Sequence, residues 1–411
     1  MGKEFQINKY LPVAFLYFFF NGLFLPVGLF YTSILCPLFI LWLVYNKKGN
    51  LLLWFFALTI PYVLIHLVNG VVIASYLKSY LLLFTVFIFC CCFYVVLKKN
   101  NNMGVLFQQL TIWNFIFTVI AIVLLFAGVG NEIWYETNLT PGAKNISRLK
   151  MFTTEASVYS LMMAPLALFY YLKLLLFRVK NPFLIFLMIT LPLLLSLSFG
   201  VILGLFLSIF FIFLSDIKLF FVKKKLPRYL LLLLLFLFSS IVILIYVYPD
   251  NLVFKRVVNI FEGNDSSFRG RTTDAFYLGY MIADMKSVLF GAGIGQIKEL
   301  GLQLLTNYYQ HSYTKDLITI PNVTGETIAI FGLFGLLVRL CVIVYLFFKT
   351  KVFSNYYRLA LFIFIFIYQF TGSYITNIPE YLIWIAAFTT GFHEFDKSAI
   401  HKNGKLPHAI Q

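Results

Sequence analysis

Residues 79–97, SYLLLFTVFIFCCCFYVVL, form a long apolar run that indicates the fold class of this chain. It contains no charged residue, and as an α-helix it is long enough to cross the hydrocarbon core of a bilayer, which takes about 20 residues. A soluble domain has a finite core and does not need many such runs. Because the chain is 61% hydrophobic and only 12% charged, the sequence predicts an all-α polytopic integral membrane protein.

Similar apolar runs recur along the chain and predict about twelve transmembrane helices. The predicted spans are residues 11–29, 31–45, 51–69, 79–97, 105–128, 153–176, 182–198, 200–217, 229–248, 323–347, 357–371 and 375–393. The first run leads directly into the second without a small-residue cleavage site, so we expect it to remain as a signal anchor.

The cysteines also lie in apolar runs, and their spacing favours neither a metal site nor a structural disulfide. They are Cys36, Cys90, Cys91, Cys92 and Cys341. We therefore expect packing or membrane-facing roles for them, and the sequence predicts no bound metal and no cofactor.

The basic residues predict the orientation of the helices. Seven groups of lysine and arginine fall in alternate gaps between the predicted spans, on one side if there are twelve. The positive-inside rule makes that side the cytoplasm, with both termini inside. The same rule accounts for the formal net charge of +16, which in a soluble protein would favour nucleic-acid binding. We therefore expect no nucleic-acid partner.

This topology predicts one transmembrane domain over residues 1–411 and a cytoplasmic tail at 394–411. An outer loop lies at 129–152, and a much longer one at 249–322 is the main polar interval of the chain. Loops of that length are uncommon in compact proteins and are usually functional. We therefore expect the functional residues on the extracytoplasmic side.

Few ionisable residues lie within the predicted spans. Arg339 is inside one, whereas Lys78, Glu326 and Glu380 lie near span ends, where we expect their side chains to snorkel to the interface. An ion-coupled transporter should carry charged side chains near the middle of the membrane. The titratable residues lie mostly in the two outer loops, which favours chemistry or binding at the outer face.

The first cluster of these residues lies in SRLKMFTTE, residues 147–155. Its charged members are Arg148, Lys150 and Glu155. A threonine at 153 or 154 is expected to cap the next helix, with Glu155 in its first turn. Arg148 and the helix N-terminus would then form an anion site suited to phosphate. Alternatively, Arg148 and Lys150 lie among lipid headgroups and Glu155 balances the helix dipole.

The second cluster lies in SSFRGRTTD, residues 266–274. Thr272 or Thr273 is expected to cap an amphipathic helix, which places Arg269 and Arg271 at its N-terminus. The helical spacing that indicates this helix is that of Tyr277, Met281, Met285 and Val288. Arginine grips phosphate oxygens in pairs better than lysine does. Alternatively, this is a solvated loop in which Asp265 and Asp274 are salt-bridge partners.

Two further features lie later in the long loop. Gly291-Ala292-Gly293-Ile294-Gly295 lacks the strand–turn–helix context of a nucleotide site, and we expect a turn that folds the loop back onto the membrane. His311 is a lone loop histidine, a residue more often structural or solvated than catalytic.

With these residues the chain resembles the bacterial O-antigen polymerase and O-antigen ligase superfamily. Arg148 and Glu155 match the family pattern R-x-x-G-x-F-x-E-P-S, although Met151 and Ala156 replace its glycine and proline. The glycines of 291–295 look like the family's G-x-G-x-G. Asn322 precedes Gly332-Leu333-Phe334-Gly335 at the spacing of the family's His-Asn motif, but Pro321 occupies the histidine position.

The resemblance implies a GT-C-like glycosyltransferase of the bacterial inner membrane that polymerises undecaprenyl-diphosphate-linked oligosaccharides at the outer face. Arg148, Lys150, Arg269 and Arg271 are the candidate diphosphate ligands, and Glu155, Asp274 and His311 are the candidate catalytic residues. The expected partners are the lipid-linked oligosaccharide, membrane lipids and a chain-length regulator protein. The alternatives are an O-antigen ligase, disfavoured by the missing histidine, and a lipid-linked oligosaccharide flippase.

Overall fold

A computed structural model of the chain describes residues 8–26, 28–99, 103–130, 132–137, 146–216, 258–263, 265–310, 314–315 and 318–402. The predicted span at 229–248 lies outside these residues. The described part is mostly helical, as the apolar composition predicts.

The N-terminal half contains α1 (Leu11–Phe15), which continues as a π-helical turn (Leu16–Phe20), and α2 (Tyr31–Ile34), α3 (Cys36–Tyr45), α4 (Leu51–Val68), α5 (Ile73–Lys99) and α6 (Met103–Phe126). A hairpin of β1 (Trp134–Thr137) and β2 (Ile146–Leu149) precedes α7 (Ala156–Leu176), α8 (Pro182–Ser196) and α9 (Phe199–Ser215). In the hairpin, Tyr135 is opposite Arg148.

The described part of the C-terminal half includes, within the predicted long loop, α10 (Ser266–Arg271), α11 (Thr273–Asp284) and α12 (Ile297–Tyr309). It continues with α13 (Val323–Lys349), α14 (Tyr356–Tyr368), α15 (Ile378–Phe388) and α16 (Lys397–Lys402). Short 3₁₀ turns lie at Val352–Ser354 and His393–Phe395.

Five of the described helices, α4, α5, α6, α7 and α13, are long and apolar enough to cross a membrane. Among the described residues, the other apolar helices are shorter, at 10–17 residues. The predicted span 11–29 ends early, at Asn21, and the predicted span 31–45 is divided at Leu35, just before Pro37. A proline inside a helix removes one backbone hydrogen bond and its ring clashes with the carbonyl four residues earlier, but it is tolerated in the first turn, so a new helix begins at Cys36.

Helix α7 lies at the centre of the bundle. Within its most apolar window 67% of the residues are buried, against 11% for α4. It packs against α8, α9, α14 and α15. The N-terminal end of this well-packed helix supplies one wall of a cleft.

Helix α13 is broken at Gly332, which has φ 69°. The break frees the carbonyls of Ala329 and Ile330, and these accept hydrogen bonds from Ala292 N and Gly293 N at 2.8 and 3.1 Å. The freed amides of Leu333 and Phe334 donate to Val288 O and Leu289 O, both at 3.0 Å. Unpaired backbone groups are costly away from water, so this exchange is what permits the break.

Gly291 and Gly332 are required for this close approach. A Cβ built on Gly291 would lie 2.3 Å from Ile330 O, and one on Gly332 would lie 2.3 Å from Leu289 O. The glycine-rich segment therefore folds onto α13, whereas the sequence predicts a turn that folds the loop back onto the membrane. His66 holds the same segment, because its Nε2 lies 2.8 Å from Phe290 O and its Nδ1 3.0 Å from Tyr76 Oη.

Helix α11 is confirmed as an amphipathic helix, but the predicted apolar face was wrong. Its buried residues include Ala275, Leu278 and Ile282, whereas Tyr277 is 51% exposed. The reason is the close packing of α11 on α13, which requires small residues. A Cβ on Gly279 would lie 2.4 Å from Gly325 O. Sequence spacing alone could not distinguish this small-residue face from the larger side chains beside it.

The expectation that Glu380 snorkels was also wrong. Its side chain is fully buried and forms an ion pair with Arg339, whose Nε donates to Gln369 Oε1 at 3.3 Å. A charge in this position needs a partner because desolvation is expensive. Glu326 is partly buried, and its Oε2 accepts a hydrogen bond from Ile375 N at 2.5 Å.

Candidate functional site

A cleft with about 290 Å³ of empty space lies where the N-terminus of α7 meets the end of α10 and the loop between α14 and α15. Its lining residues are Glu155, Ser157, Val158, Arg271, Pro321, Tyr368, Ser373, Tyr374 and Asn377. The cleft therefore brings together one residue from each of the two charged clusters in the sequence. Glu155 and Arg271 are the pair.

Glu155 precedes the first turn of α7 with extended backbone, at φ −144° and ψ 153°. Its Oε2 accepts a hydrogen bond from Ser157 Oγ at 2.9 Å. The predicted threonine cap was wrong, because α7 begins at Ala156 and has no side-chain cap. The Thr153 hydroxyl lies instead 2.6 Å from Lys150 O. The first amides of α7 are thus left without a side-chain acceptor at the edge of the cleft.

Arg271 is the last residue of α10, and its side chain is partly buried. Its backbone carbonyl accepts a hydrogen bond from Asn322 Nδ2 at 2.7 Å. Within the described ranges, no carboxylate lies within ion-pair distance of its guanidinium. The backbone of Arg271 is therefore fixed at the cleft, and its guanidinium is available to bind a ligand.

Tyr374 lies close to both charges. Burial and, next, the Glu155 carboxylate raise the pKa of its phenol, the Arg271 guanidinium and a hydrogen bond with Thr319 lower it, and the net pKa is about 12. The phenol therefore stays protonated over the physiological range and can donate a hydrogen bond to a ligand. Tyr374 adds a neutral donor to a carboxylate and a guanidinium.

Asp274 and Arg269, the other charged members of the second cluster, do not line this cleft. Asp274 is 3% exposed and accepts hydrogen bonds from Tyr308 Oη at 3.1 Å and Tyr309 Oη at 3.2 Å. Arg269 Nε lies 3.6 Å from its carboxylate, which raises the pKa of Arg269. The alternative reading of a salt bridge is thus confirmed for Asp274.

The predicted caps in this cluster differ from the observed ones. Asp265 caps α10, accepting from Phe268 N at 2.7 Å. Thr272 occupies the N-cap position of α11 but gives no side-chain cap, since its hydroxyl donates to Phe268 O at 2.8 Å. Arg269 and Arg271 therefore belong to a helix of their own ahead of α11.

Arg148 and Lys150 also lie outside the cleft lining. Arg148 Nε donates to Ser196 O at 3.0 Å, at the C-terminal end of α8. Arginine in this position satisfies a terminal helix carbonyl and opposes the negative end of the helix dipole. Lys150 is partly buried, and its backbone amide donates to Ile133 O at 3.0 Å. His311 lies outside the described residues.

Sequence reasoning missed the wall formed by the loop between α14 and α15, which supplies Ser373, Tyr374 and Asn377. The predicted spans 357–371 and 375–393 leave only a short turn there. A usable signal was its polar composition, TGSYITN at 371–377, between two apolar helices. Pro321, which directly precedes Asn322, also lines the cleft.

A second cavity, with about 430 Å³ of empty space, adjoins the first and shares Val158 and Asn377 with it. It follows α7 as far as Met162, and its remaining lining is largely aromatic and aliphatic. These residues are Tyr17, Phe18, Asn21, Gly22, Phe30, Phe152, Thr153, Thr154, Ile378 and Pro379. A charged, polar cleft thus continues into an apolar cavity alongside a membrane-length helix.

Comparison of the chain with protein-family models found no match. Comparison with curated protein sequences found no match either.

Proposed function

We propose that this protein is a membrane glycosyltransferase that polymerises oligosaccharide repeat units linked to undecaprenyl diphosphate. The observation that supports this most is the joint placement of Glu155 and Arg271 in one cleft beside an apolar cavity. A lipid-diphosphate-linked sugar has a negative, a polar and an apolar part. The cleft offers Arg271 for the diphosphate and polar side chains for the sugar, and the apolar cavity suits the lipid.

In the proposed reaction, a hydroxyl of the acceptor sugar attacks the anomeric carbon of the donor glycan. The new glycosidic bond forms as the bond from that carbon to the diphosphate oxygen breaks, and the hydroxyl proton passes to Glu155. The leaving diphosphate gains negative charge, which Arg271 and the uncapped amides of α7 stabilise. Tyr374 donates a hydrogen bond to the diphosphate or to the acceptor.

The apolar cavity is the proposed site for the first isoprene units of the donor lipid. It begins at Val158, beside the cleft, and follows α7 to Met162. Burial of isoprenoid carbon against aromatic and aliphatic side chains is favourable, by about 25 cal/mol per Å². The lipid would thereby place its diphosphate next to Arg271.

Within this proposal the remaining predicted residues have supporting roles. Arg269 and Asp274 stabilise the α10–α11 junction, and Arg148 anchors the β-hairpin to α8. Lys150 lies on the approach to α7, where it adds positive potential. We assign no role to His311.

One experiment distinguishes polymerase from two other functions, ligase and flippase. A ligase would use the same donor but another acceptor, and the proline at 321 disfavours it because a basic side chain is absent there. A flippase would need a charged path across the membrane, whereas the buried charge of Arg339 is already neutralised by Glu380.

The experiment compares surface glycan and lipid-linked glycan in a bacterial strain lacking the gene and in the complemented strain. Loss of long glycan with single attached units remaining is the polymerase result. Loss of all attached glycan, with lipid-linked polymer accumulating at the outer face, would support a ligase. Accumulation of single lipid-linked units at the cytoplasmic face would support a flippase.

A further inference from the structure

Asn322 lies between the two walls of the cleft and is fully buried. Its Nδ2 donates to the carbonyl of Arg271 at 2.7 Å and to the carbonyl of Phe370 at 2.6 Å. Arg271 belongs to one wall of the cleft, and Phe370 opens the loop that leads to Ser373 and Tyr374. One amide group therefore touches the backbone of both walls.

The oxygen of the same side-chain amide also has both of its acceptor positions occupied. Asn322 Oδ1 accepts hydrogen bonds from Thr324 N and Gly325 N, both at 2.9 Å, which caps α13. A carboxamide offers two donor hydrogens and one acceptor oxygen with two lone pairs, so all four positions are occupied. Capping alone requires only the oxygen. The two donated bonds need a separate explanation.

The first turn of α13 holds the loop wall at further points. Val323 N donates to Gly372 O at 3.1 Å, and Glu326 Oε2 accepts from Ile375 N at 2.5 Å. Each of these contacts reaches one wall only. Among the described hydrogen bonds, the Asn322 amide joins that wall to Arg271.

We propose that Asn322 is a positioning residue that couples the two walls of the cleft, setting the distance between Arg271 and Tyr374. This inference rests on the proposed function, because the cleft is the proposed site. It extends the proposed function, because it makes Asn322, which does not contact the substrate, responsible for positioning the groups that bind the diphosphate.

Asn322→Asp separates the two roles of the side chain. Aspartate caps a helix as well as asparagine does, but an ionised carboxylate cannot donate to the two carbonyls. Asn322→Ala removes both roles. Asn355→Asp is the control, because Asn355 also caps a helix, α14, and its Nδ2 donates to Phe392 O at 2.9 Å and to Asp396 Oδ1 at 2.8 Å, away from the cleft. Because this change also brings two carboxylates together, it is locally the more disruptive of the two substitutions.

The first measurement is the binding of farnesyl diphosphate to the purified full-length protein by titration calorimetry. We expect Asn322→Asp to weaken binding about tenfold or more, since hydrogen bonds that define the site are lost. The folded fraction of Asn355→Asp should bind as the wild type does. Wild-type affinity in folded Asn322→Asp would show that Asn322 only caps α13, and would overturn the proposal.

A second measurement tests the inference even if the wild type does not bind farnesyl diphosphate, an outcome that would count against the proposed substrate. Ser373→Cys in a Cys341→Ser background places a thiol in the loop wall, and its rate of reaction with a polar maleimide reports how firmly that wall is held. The rate should rise about tenfold on adding Asn322→Asp and stay unchanged on adding Asn355→Asp. Equal rates in all three would contradict the coupling.

Discussion

Glu155 and Arg271 line one cleft, and the ion pairs of the described residues do not include one between their carboxylate and guanidinium. Opposite charges that share a partly enclosed space are stabilised by contact, unless the fold holds them apart. Here Asn322 fixes the backbone of Arg271, and Ser157 binds the carboxylate of Glu155. Both charges are therefore available to a ligand placed between them.

Replacing Arg271 with alanine should reduce glycan polymerisation at least about 100-fold, because a donor to developing negative charge is lost. Arg271→Lys should restore little, since lysine cannot present a planar fork of donors. The measurement is polymer length and amount per quantity of membrane-inserted protein. Arg269→Ala is the control, and we expect a much smaller loss because Arg269 lies outside the cleft lining. Equal losses in both variants would mean that Arg271 is no more important for polymerisation than Arg269, although only Arg271 lines the cleft.

Replacing Glu155 with glutamine should lower the turnover rate about 10²–10⁴-fold, the range for loss of a general base. Glutamine keeps the size of the side chain and can still accept from Ser157, so protein levels should be unchanged. The measurement is turnover at saturating lipid-linked substrate. Glu132→Gln changes an exposed carboxylate outside the cleft and should leave turnover unchanged. Normal turnover in Glu155→Gln would exclude Glu155 as the base.

Replacing Gly291 with alanine should destabilise the protein by at least about 1–3 kcal/mol, since the residue has φ 78° and the added Cβ would meet Ile330 O at 2.3 Å. The measurement is the thermal midpoint of detergent-solubilised protein, with the yield of folded protein. Gly200→Ala is the control, because Gly200 lies in α9 with no atom near its added Cβ. That change should be neutral or slightly stabilising. A stable Gly291→Ala variant would contradict the requirement for close contact with α13.

The predicted orientation can be tested with two exposed positions on described parts of the chain. Glu132→Cys precedes the β-hairpin, on the predicted outer side, and His393→Cys follows α15, on the predicted cytoplasmic side. In intact cells an impermeant maleimide should label the first and not the second, while both should react after the membrane is opened. The reverse pattern would place the cleft on the cytoplasmic side and remove the proposed substrate.

Much of the helical framework could be predicted from the sequence. The span expected at 51–69 is observed as Leu51–Val68, and the one expected at 105–128 as Met103–Phe126. The length and polarity of an apolar run are local properties of the chain, and they determine whether a helix forms in a bilayer. The break at Gly332 could not be predicted in this way, because it depends on backbone partners from residues 288–293.

The composition of the cleft depended on the tertiary structure. Arg269 and Arg271 look equivalent in the sequence, but residues two apart on a helix do not share a face, and only Arg271 lines the cleft. Tyr374 joins it from a distant loop through contacts with α13. The apolar runs and the positions of the charged residues along the chain were enough to predict a membrane protein and its two charged clusters. The packing of α7, α10 and α13 decided which of those charges face one another, because that depends on contacts between segments far apart in the chain.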